Sequence, residues 1–530
     1  MSARVGNLNA AKRSMRTATT ARPGALGQQE RTVLRTLLLD SSLAALPFLA
    51  SLIAMALATY GDATIRFLIS LLFASSVLLA IRFMRRGSQT SSFASVAVIF
   101  GFVIWYSYPA VLYLLNPDRW FGYNLPLFIE SETVVYSVLS LSFFLLTWVL
   151  CYSVLFNRRR TEAPPIAAQS RSSAPNIIIA IALLGVVLGA APYFLLGQDP
   201  VETLRLIFES RAVEKPWLFT ENLGNRTSAF VYLAQSFWVA GTCLLLAAAQ
   251  DKRVRLPLRL VAGAVALIST AIIYFDQGTR SITALILLPA LLLFLAPRLS
   301  KSRWAALAGI AAMLALVLIF QFQLLFRSSY TRAEVSDSLM TDWTTFRGTS
   351  DYFAENMLAF EIVPSMHDYF HESVLAQFLV SPIPRFLWAD KPATQLVWYY
   401  ALIRWGIDIY QVGGNVFPGV VGQFYMSWGW AGIAILGALF GWIAGLTDRW
   451  LGRNDPVGNP YSAIVALMLA VWLLLSYRIL SPGFFYPILF AWLIVQFVER
   501  RHRPDRATTY GRRHVYRPAP RAEDPASNLE

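Results

Sequence analysis

Arginines stand where this otherwise apolar chain has to turn, and the side chains around them set out a possible anion chemistry. Arg280 follows Asp276-Gln277-Gly278-Thr279 and opens an apolar run. Arg478 lies in Leu475-Ser476-Tyr477-Arg478-Ile479-Leu480, just before the turn signal Ser481-Pro482-Gly483. A planar guanidinium can grip phosphate oxygens in a bidentate way. Each has a plainer reading beside that one. Arg280 can anchor a helix end by snorkelling, and Arg478 can snorkel or sit in a structural ion pair.

A third group is the compact stretch Ser381-Pro382-Ile383-Pro384-Arg385-Phe386-Leu387-Trp388-Ala389-Asp390-Lys391-Pro392. Its prolines stiffen the backbone. Arg385 and Lys391 suit a phosphate group, Trp388 the face of a sugar, and Asp390 a proton or a neighbouring arginine. A rigid amphipathic loop lying on a membrane would have the same composition. Arg404 and Asp408 are four apart, which pairs them along one helix face. Gln423 and Tyr425 enter the next apolar run, where polar groups either line a cavity or join helices. Glu361 is a general candidate for acid–base work. His367 and His371 share helical spacing beside Asp368 and Glu372, but without a definite third ligand they do not define a metal site. The chain has no phosphate-binding loop, dinucleotide fingerprint or nucleophile elbow in a suitable context.

The elements that must position these residues are membrane spans. Of 530 residues, 56% are hydrophobic and 14% charged, against roughly a quarter charged in soluble domains. Twelve apolar runs fall near 36–59, 67–81, 92–115, 133–156, 177–196, 228–249, 256–275, 281–297, 304–325, 417–447, 459–477 and 482–498. Most reach the roughly 17–25 residues that a crossing helix needs. The tenth is long and Gly-rich, so it is expected to tilt or to break near Trp428-Gly429-Trp430-Ala431-Gly432. The fold class is therefore all-α and polytopic, with about twelve transmembrane helices and a large, partly helical outer loop over 326–416. A basic tail, 1–35, precedes the bundle of 36–498, and a Pro- and Arg-rich tail, 499–530, is expected to be disordered. Cys151 and Cys243 both fall in apolar runs and read as packing residues.

Charge alternates with the spans. Of the 45 Lys and Arg, 31 fall on one side and 14 on the other, while the 31 acidic residues divide 11 and 20. The positive-inside rule makes the basic side cytoplasmic, with both termini there. The net charge of +14 then reads as a topology signal and an attraction to anionic lipid rather than to nucleic acid.

Taken together, these features resemble the oligosaccharide repeat-unit polymerases of bacterial surface polysaccharide synthesis, the O-antigen polymerases. The resemblance rests on the general architecture of 36–498 and on a few short motifs. These are Gly278-Thr279-Arg280-Ser281, Pro382-Ile383-Pro384-Arg385 through Lys391-Pro392, Gly414-Asn415, Pro418-Gly419 and Gly429-Trp430-Ala431-Gly432. It implies a GT-C-like bundle in the bacterial inner membrane. It also implies glycosyl transfer at the outer face between glycans carried on undecaprenyl diphosphate, without a nucleotide sugar, cofactor or metal. Membrane lipids, a chain-length regulator and a flippase are the further partners implied. Under that reading Arg280, Arg385 and Arg478 surround the diphosphate, with Arg404 a fourth candidate. Asp276, Glu361, Asp390 or Asp408 supplies the base or orients an arginine. A transporter or flippase for lipid-linked sugars or another anionic solute is the alternative.

Overall fold

A computed structural model describes residues 23–86, 92–115, 130–157, 174–196, 199–209, 224–277, 280–299, 352–371, 418–453, 458–478 and 480–501, with isolated positions in 311–319 and 380–403. The described elements are helical. In chain order they are α1 (Pro23–Ala56), α2 (Asp62–Arg86), α3 (Phe93–Phe102), a π-helical turn (Val103–Ser107), α4 (Tyr108–Leu115), α5 (Ser131–Asn157), α6 (Pro175–Leu196) and α7 (Pro200–Phe208). Then follow α8 (Gly224–Gln250), α9 (Leu256–Gln277), α10 (Arg280–Leu299), α11 (Tyr352–Ile362), α12 (Gly419–Arg453), α13 (Pro460–Leu475) and α14 (Pro482–Arg501).

Among the described residues, nine helices are long and apolar enough to cross a membrane, and two shorter apolar ones lie in α10 and α13. Eleven of the twelve expected spans thus coincide with a helix. The expected span at 304–325 lies almost wholly outside the described residues, so a count of twelve is not what the structure gives. The first helix begins at Pro23, inside the stretch read as a basic tail. Helix α7 is a short amphipathic element between two of the expected spans. Its Thr203 and Ile207 are buried, while Val201, Leu204 and Phe208 are exposed.

Helices α1–α5 pack with α11 and α12, while α6, α8, α9, α10 and α14 form a second group. Helix α13 joins them, touching α3, α8, α10, α12 and α14. It is apolar all round, and thirteen of its sixteen residues are buried, as expected of a central helix. Two contacts between helices depend on missing side chains. On α12, a Cβ at Gly437 would stand 1.9 Å from Thr147 Oγ1, and one at Gly441 2.7 Å from the Trp148 carbonyl oxygen, so α12 lies directly on α5. Gly189 and Gly241 do the same for α6 and α8.

Helix ends assigned to the basic side do meet. Asp448 of α12 accepts hydrogen bonds from Ala94 N (2.8 Å) and Ser95 N (3.1 Å), the first turn of α3, and from Tyr152 Oη of α5 (3.0 Å). The carboxylate thereby satisfies amides that α3 itself cannot. Arg82 Nε donates to Asp40 at 2.7 Å, and Asn459 Nδ2 to Glu499 at 2.8 Å. In the loop between α8 and α9, Arg253 grips Asp251 at 2.9 Å, and that hydrogen bond holds the guanidinium above its ordinary pKa.

Substituting the α12 glycines tests this packing. Gly441→Val is expected to destabilise the bundle by about 1–3 kcal/mol or more through overpacking. Gly445→Ala should be nearly neutral, because its Cβ would meet Leu155 only at 3.8 Å. Thermal unfolding of the purified protein in detergent would read both.

Candidate functional site

The expected break in the tenth span is present and sharper than a kink. Trp428 (φ −144°, ψ 18°) and Gly429 (φ 60°, ψ −144°) leave helical geometry. The left-handed φ suits glycine there. A Cβ on Gly432 would lie 2.1 Å from the Phe424 carbonyl oxygen. Residues eight apart in one straight helix are separated by about 12 Å. The chain therefore reverses, and α12 is a hairpin with a short arm, 419–427, and a long arm, 430–453.

Neighbours along the short arm give its direction. Its start, Gly419, lies against Tyr106 and Tyr352. Tyr106 is nine residues, or about 14 Å, below the end of α4 at Leu115. Further along, Gly422 meets Ala359, and Tyr425 stacks on Phe360 with ring centroids 3.8 Å apart. Tyr425 Oη also donates to the Val363 carbonyl at 3.2 Å. Helix α11 rises alongside. Asn356 Nδ2 donates to Ser137 Oγ (2.8 Å) and Ser140 Oγ (3.0 Å) on α5, while Glu361 Oε1 accepts from Thr133 Oγ1 at 2.5 Å, close to the start of α5. Both elements thus climb from inside the bundle towards the acidic side. The stretch expected as an outer loop enters the bundle here.

The turn between α13 and α14 is also recessed. The buried ring of Tyr477 packs on Phe102 and Phe144 at centroid distances of 6.5 and 5.9 Å and against Gly101. Phe144 lies thirteen residues into α5, about 20 Å from its start. Irregular backbone at such depth needs partners within the protein. The Tyr477 carbonyl accepts from Val420 N (3.0 Å) and from Tyr106 Oη (3.4 Å). Tyr106 Oη itself accepts from Val421 N at 3.2 Å. Leu480 N reaches Gln423 Oε1 at 3.5 Å. At the reversal, Phe370 N donates to the Met426 carbonyl at 2.9 Å. The π-helical turn that carries Tyr106 has its own local cause. Pro109 lacks the amide that would bond the Trp105 carbonyl, and Tyr108 N reaches back five residues to Val103.

Within this frame the expected site residues fall into two groups. Gln423 is buried against the turn that carries Arg478, and Arg478 is half-buried. Arg280 opens α10, which packs along α13. Gln250, at the end of α8, donates to the Ala290 carbonyl of α10, and Tyr461, at the start of α13, lies beside Asp251 just past α8. Those contacts run α10 antiparallel to α13, so Arg280, at the start of one, and Arg478, just past the end of the other, lie towards the same end of the pair. Asp276 is fully buried and accepts from Tyr193 Oη at 2.6 Å. Tyr425 and Glu361 form the second group, nearer the acidic end and on the other flank of the short arm. Trp388 is 41% exposed. Arg385, Asp390, Lys391, Arg404 and Asp408 lie outside the described residues. His367 stacks on Phe370 at 4.1 Å, and no cluster of metal-binding side chains occurs among the described residues.

Sequence reasoning missed Tyr106, Tyr477, Asn356 and Asp448. One signal was available: Thr133, Ser137 and Ser140 recur at helical spacing on α5 and mark the face that receives α11.

The fold and this interior turn define an all-helical, multi-pass membrane protein with re-entrant segments. Residues 351–501 match a family described as a domain of unknown function (DUF8712). The matched stretch coincides with α11 through α14, the unit that builds the recessed turn. No curated protein and no solved structure matches the chain.

The depth of the turn is open to chemical test in a Cys151→Ser, Cys243→Ala background. A thiol introduced by Arg478→Cys should react with a membrane-impermeant reagent from the acidic side alone, and more slowly than one introduced by Trp388→Cys. Equal rates at the two positions would show that the turn is not recessed.

Proposed function

We propose that this protein is a glycosyltransferase that polymerises undecaprenyl-diphosphate-linked oligosaccharide repeat units at the outer face of a bacterial inner membrane, using a GT-C-like bundle with both termini cytoplasmic. The observation that carries the reading is the recessed turn. It places the cationic, half-buried Arg478 inside the bundle, at the same end of a helix pair as Arg280. A charge at that depth is costly unless it is wet or paired, and a lipid-borne diphosphate supplies the pairing. In the reaction the acceptor hydroxyl oxygen bonds the donor's anomeric carbon as the bond from that carbon to the diphosphate breaks. The electron pair leaves with the diphosphate, the hydroxyl proton goes to a base, and fixed guanidiniums favour the charge that develops. Arg385 is the third arginine of the proposed clamp. A chain-length regulator and a flippase are its proposed protein partners.

Transport of the same lipid-linked sugars, or of another anionic solute, is the second reading. The broken α12 favours it, since discontinuous helices also form the midplane sites of transporters. The basic side speaks for the enzyme. There the buried groups Asp448, Asp40 and Glu499 are engaged by a helix end, an arginine and a helix-capping asparagine.

Reconstitution with lipid-linked repeat units separates the two. Wild type should yield a polymer ladder, with Arg280→Ala, Arg385→Ala and Arg478→Ala each lowering the rate by on the order of 100-fold. Full-length polymer from all three variants would reject the diphosphate clamp. Passage of substrate across the vesicle with no new glycosidic bond would establish transport instead.

A further inference from the structure

The second group of residues forms an aromatic shelf at the acidic end of the bundle, built where the α12 hairpin reverses. Tyr136 of α5 stacks on Phe360 of α11 with ring centroids 6.2 Å apart and planes 14° from parallel. Phe360 stacks on Tyr425 and lies 5.8 Å from Trp430, so both arms of the hairpin contribute. Tyr369 adds a ring 6.0 Å from Tyr425, held against the backbone of Gly429. Tyr136, Phe360, Tyr369 and Trp430 are each only half-buried.

Carboxylates border these rings. Glu361 is half-buried, and its Oε1 is fixed by Thr133, while among the described residues nothing engages Oε2. Glu132 is also half-buried and hydrogen-bonds Tyr136. This combination discriminates between occupants. An acyl chain would strip water from two carboxylates without giving either a donor. An anionic headgroup would be repelled by them. A sugar fits both features: its C–H face lies on an aromatic ring, and its neutral hydroxyls donate to carboxylate oxygens.

We propose that this shelf is a saccharide subsite, in which Glu361 and the Tyr369 ring hold a sugar of the repeat unit away from the bond being made. The proposal rests on the glycosyl-transfer reading for the identity of the glycan. Glu361 lies at the level of Thr133, whereas the Tyr477 carbonyl lies at that of Tyr106. The offset along the bundle is roughly 10–15 Å, the reach of a short oligosaccharide. Glu361, one of the four acids that the resemblance offers as base, is on this proposal a positioning residue instead: it selects the repeat unit and stands apart from the groups around the diphosphate.

The probe is the free reducing oligosaccharide released by mild acid from the cell's own lipid-linked repeat units. Saturation-transfer NMR on the full-length protein in detergent should detect its binding. Glu361→Gln keeps the size of the side chain, and Tyr369→Leu removes one half-open ring. Each should weaken binding by about tenfold, the scale of one charge-assisted hydrogen bond or one aromatic contact. In the polymerisation assay each should raise KM by a similar factor with kcat at saturation largely kept. Unchanged oligosaccharide affinity in both folded variants overturns the subsite, even if polymer is made normally. Binding that both substitutions weaken, in a protein that makes no glycosidic bond, upholds the subsite and rejects the polymerase reading.

Discussion

Inside a bilayer a backbone amide or carbonyl has no water to bond, and that constraint fixes how α12 and the α13–α14 turn are built. Each departs from helix at depth and so releases backbone groups that need partners. The protein supplies them mutually. Val420 N bonds the Tyr477 carbonyl, Tyr106 Oη serves both Val421 N and that carbonyl, and Phe370 N covers the Met426 carbonyl at the reversal. Gln423 reaches Leu480 N. The two irregular segments can exist only together. A buried polar group left unmatched costs about 1–3 kcal/mol, so several such matches form a strong constraint on one arrangement.

The long arm of α12 turns that local arrangement into a global one. Gly437 and Gly441 bring its backbone onto α5, and at its far end Asp448 takes the first amides of α3. One helix therefore ties the recessed turn near mid-bundle to the helix ends of the basic side. The two sides differ in consequence. On the basic side, buried carboxylates answer helix ends or arginines. Towards the acidic side, Arg478, Glu361 and Trp430 keep part of their surface accessible.

Much of the frame was legible in the sequence because hydropathy and charge alternation report spans directly. The tenth run, long and Gly-rich, was legible as either tilted or broken near 428–432. The reversal was not. The stretch 417–447 is long enough for a single tilted span, and nothing local distinguishes that from a short arm folded back on a long one. The depth of Arg478 was hidden for a similar reason, because a Ser-Pro-Gly turn reads alike whether it sits at a surface or against Phe144. Glu361 appeared only as one acid among several. Its fixing partner, Thr133, lies 228 residues away, and no spacing rule connects them.

Separation of the two groups by the short arm has a mechanistic consequence for the proposed reaction. An anion site recessed among apolar helices suits a carrier whose lipid tails stay in the bilayer, since the diphosphate need not rise to the surface. The glycan cannot stay there, because its hydroxyls need either water or protein partners. Along the direction of 419–427, Gln423 stands by the turn that carries Arg478, and Tyr425, Tyr369 and Glu361 stand nearer the acidic end. Along that line cationic groups give way to aromatic and acidic ones. On the proposed reading a phosphate would be held at the bottom and repelled at the top, while a neutral sugar would find hydroxyl acceptors and ring faces at the top. This order would orient a lipid-linked glycan by charge alone. It also assigns the two ends of one substrate to different chemistry, which a site built solely to pass an anion through would not require.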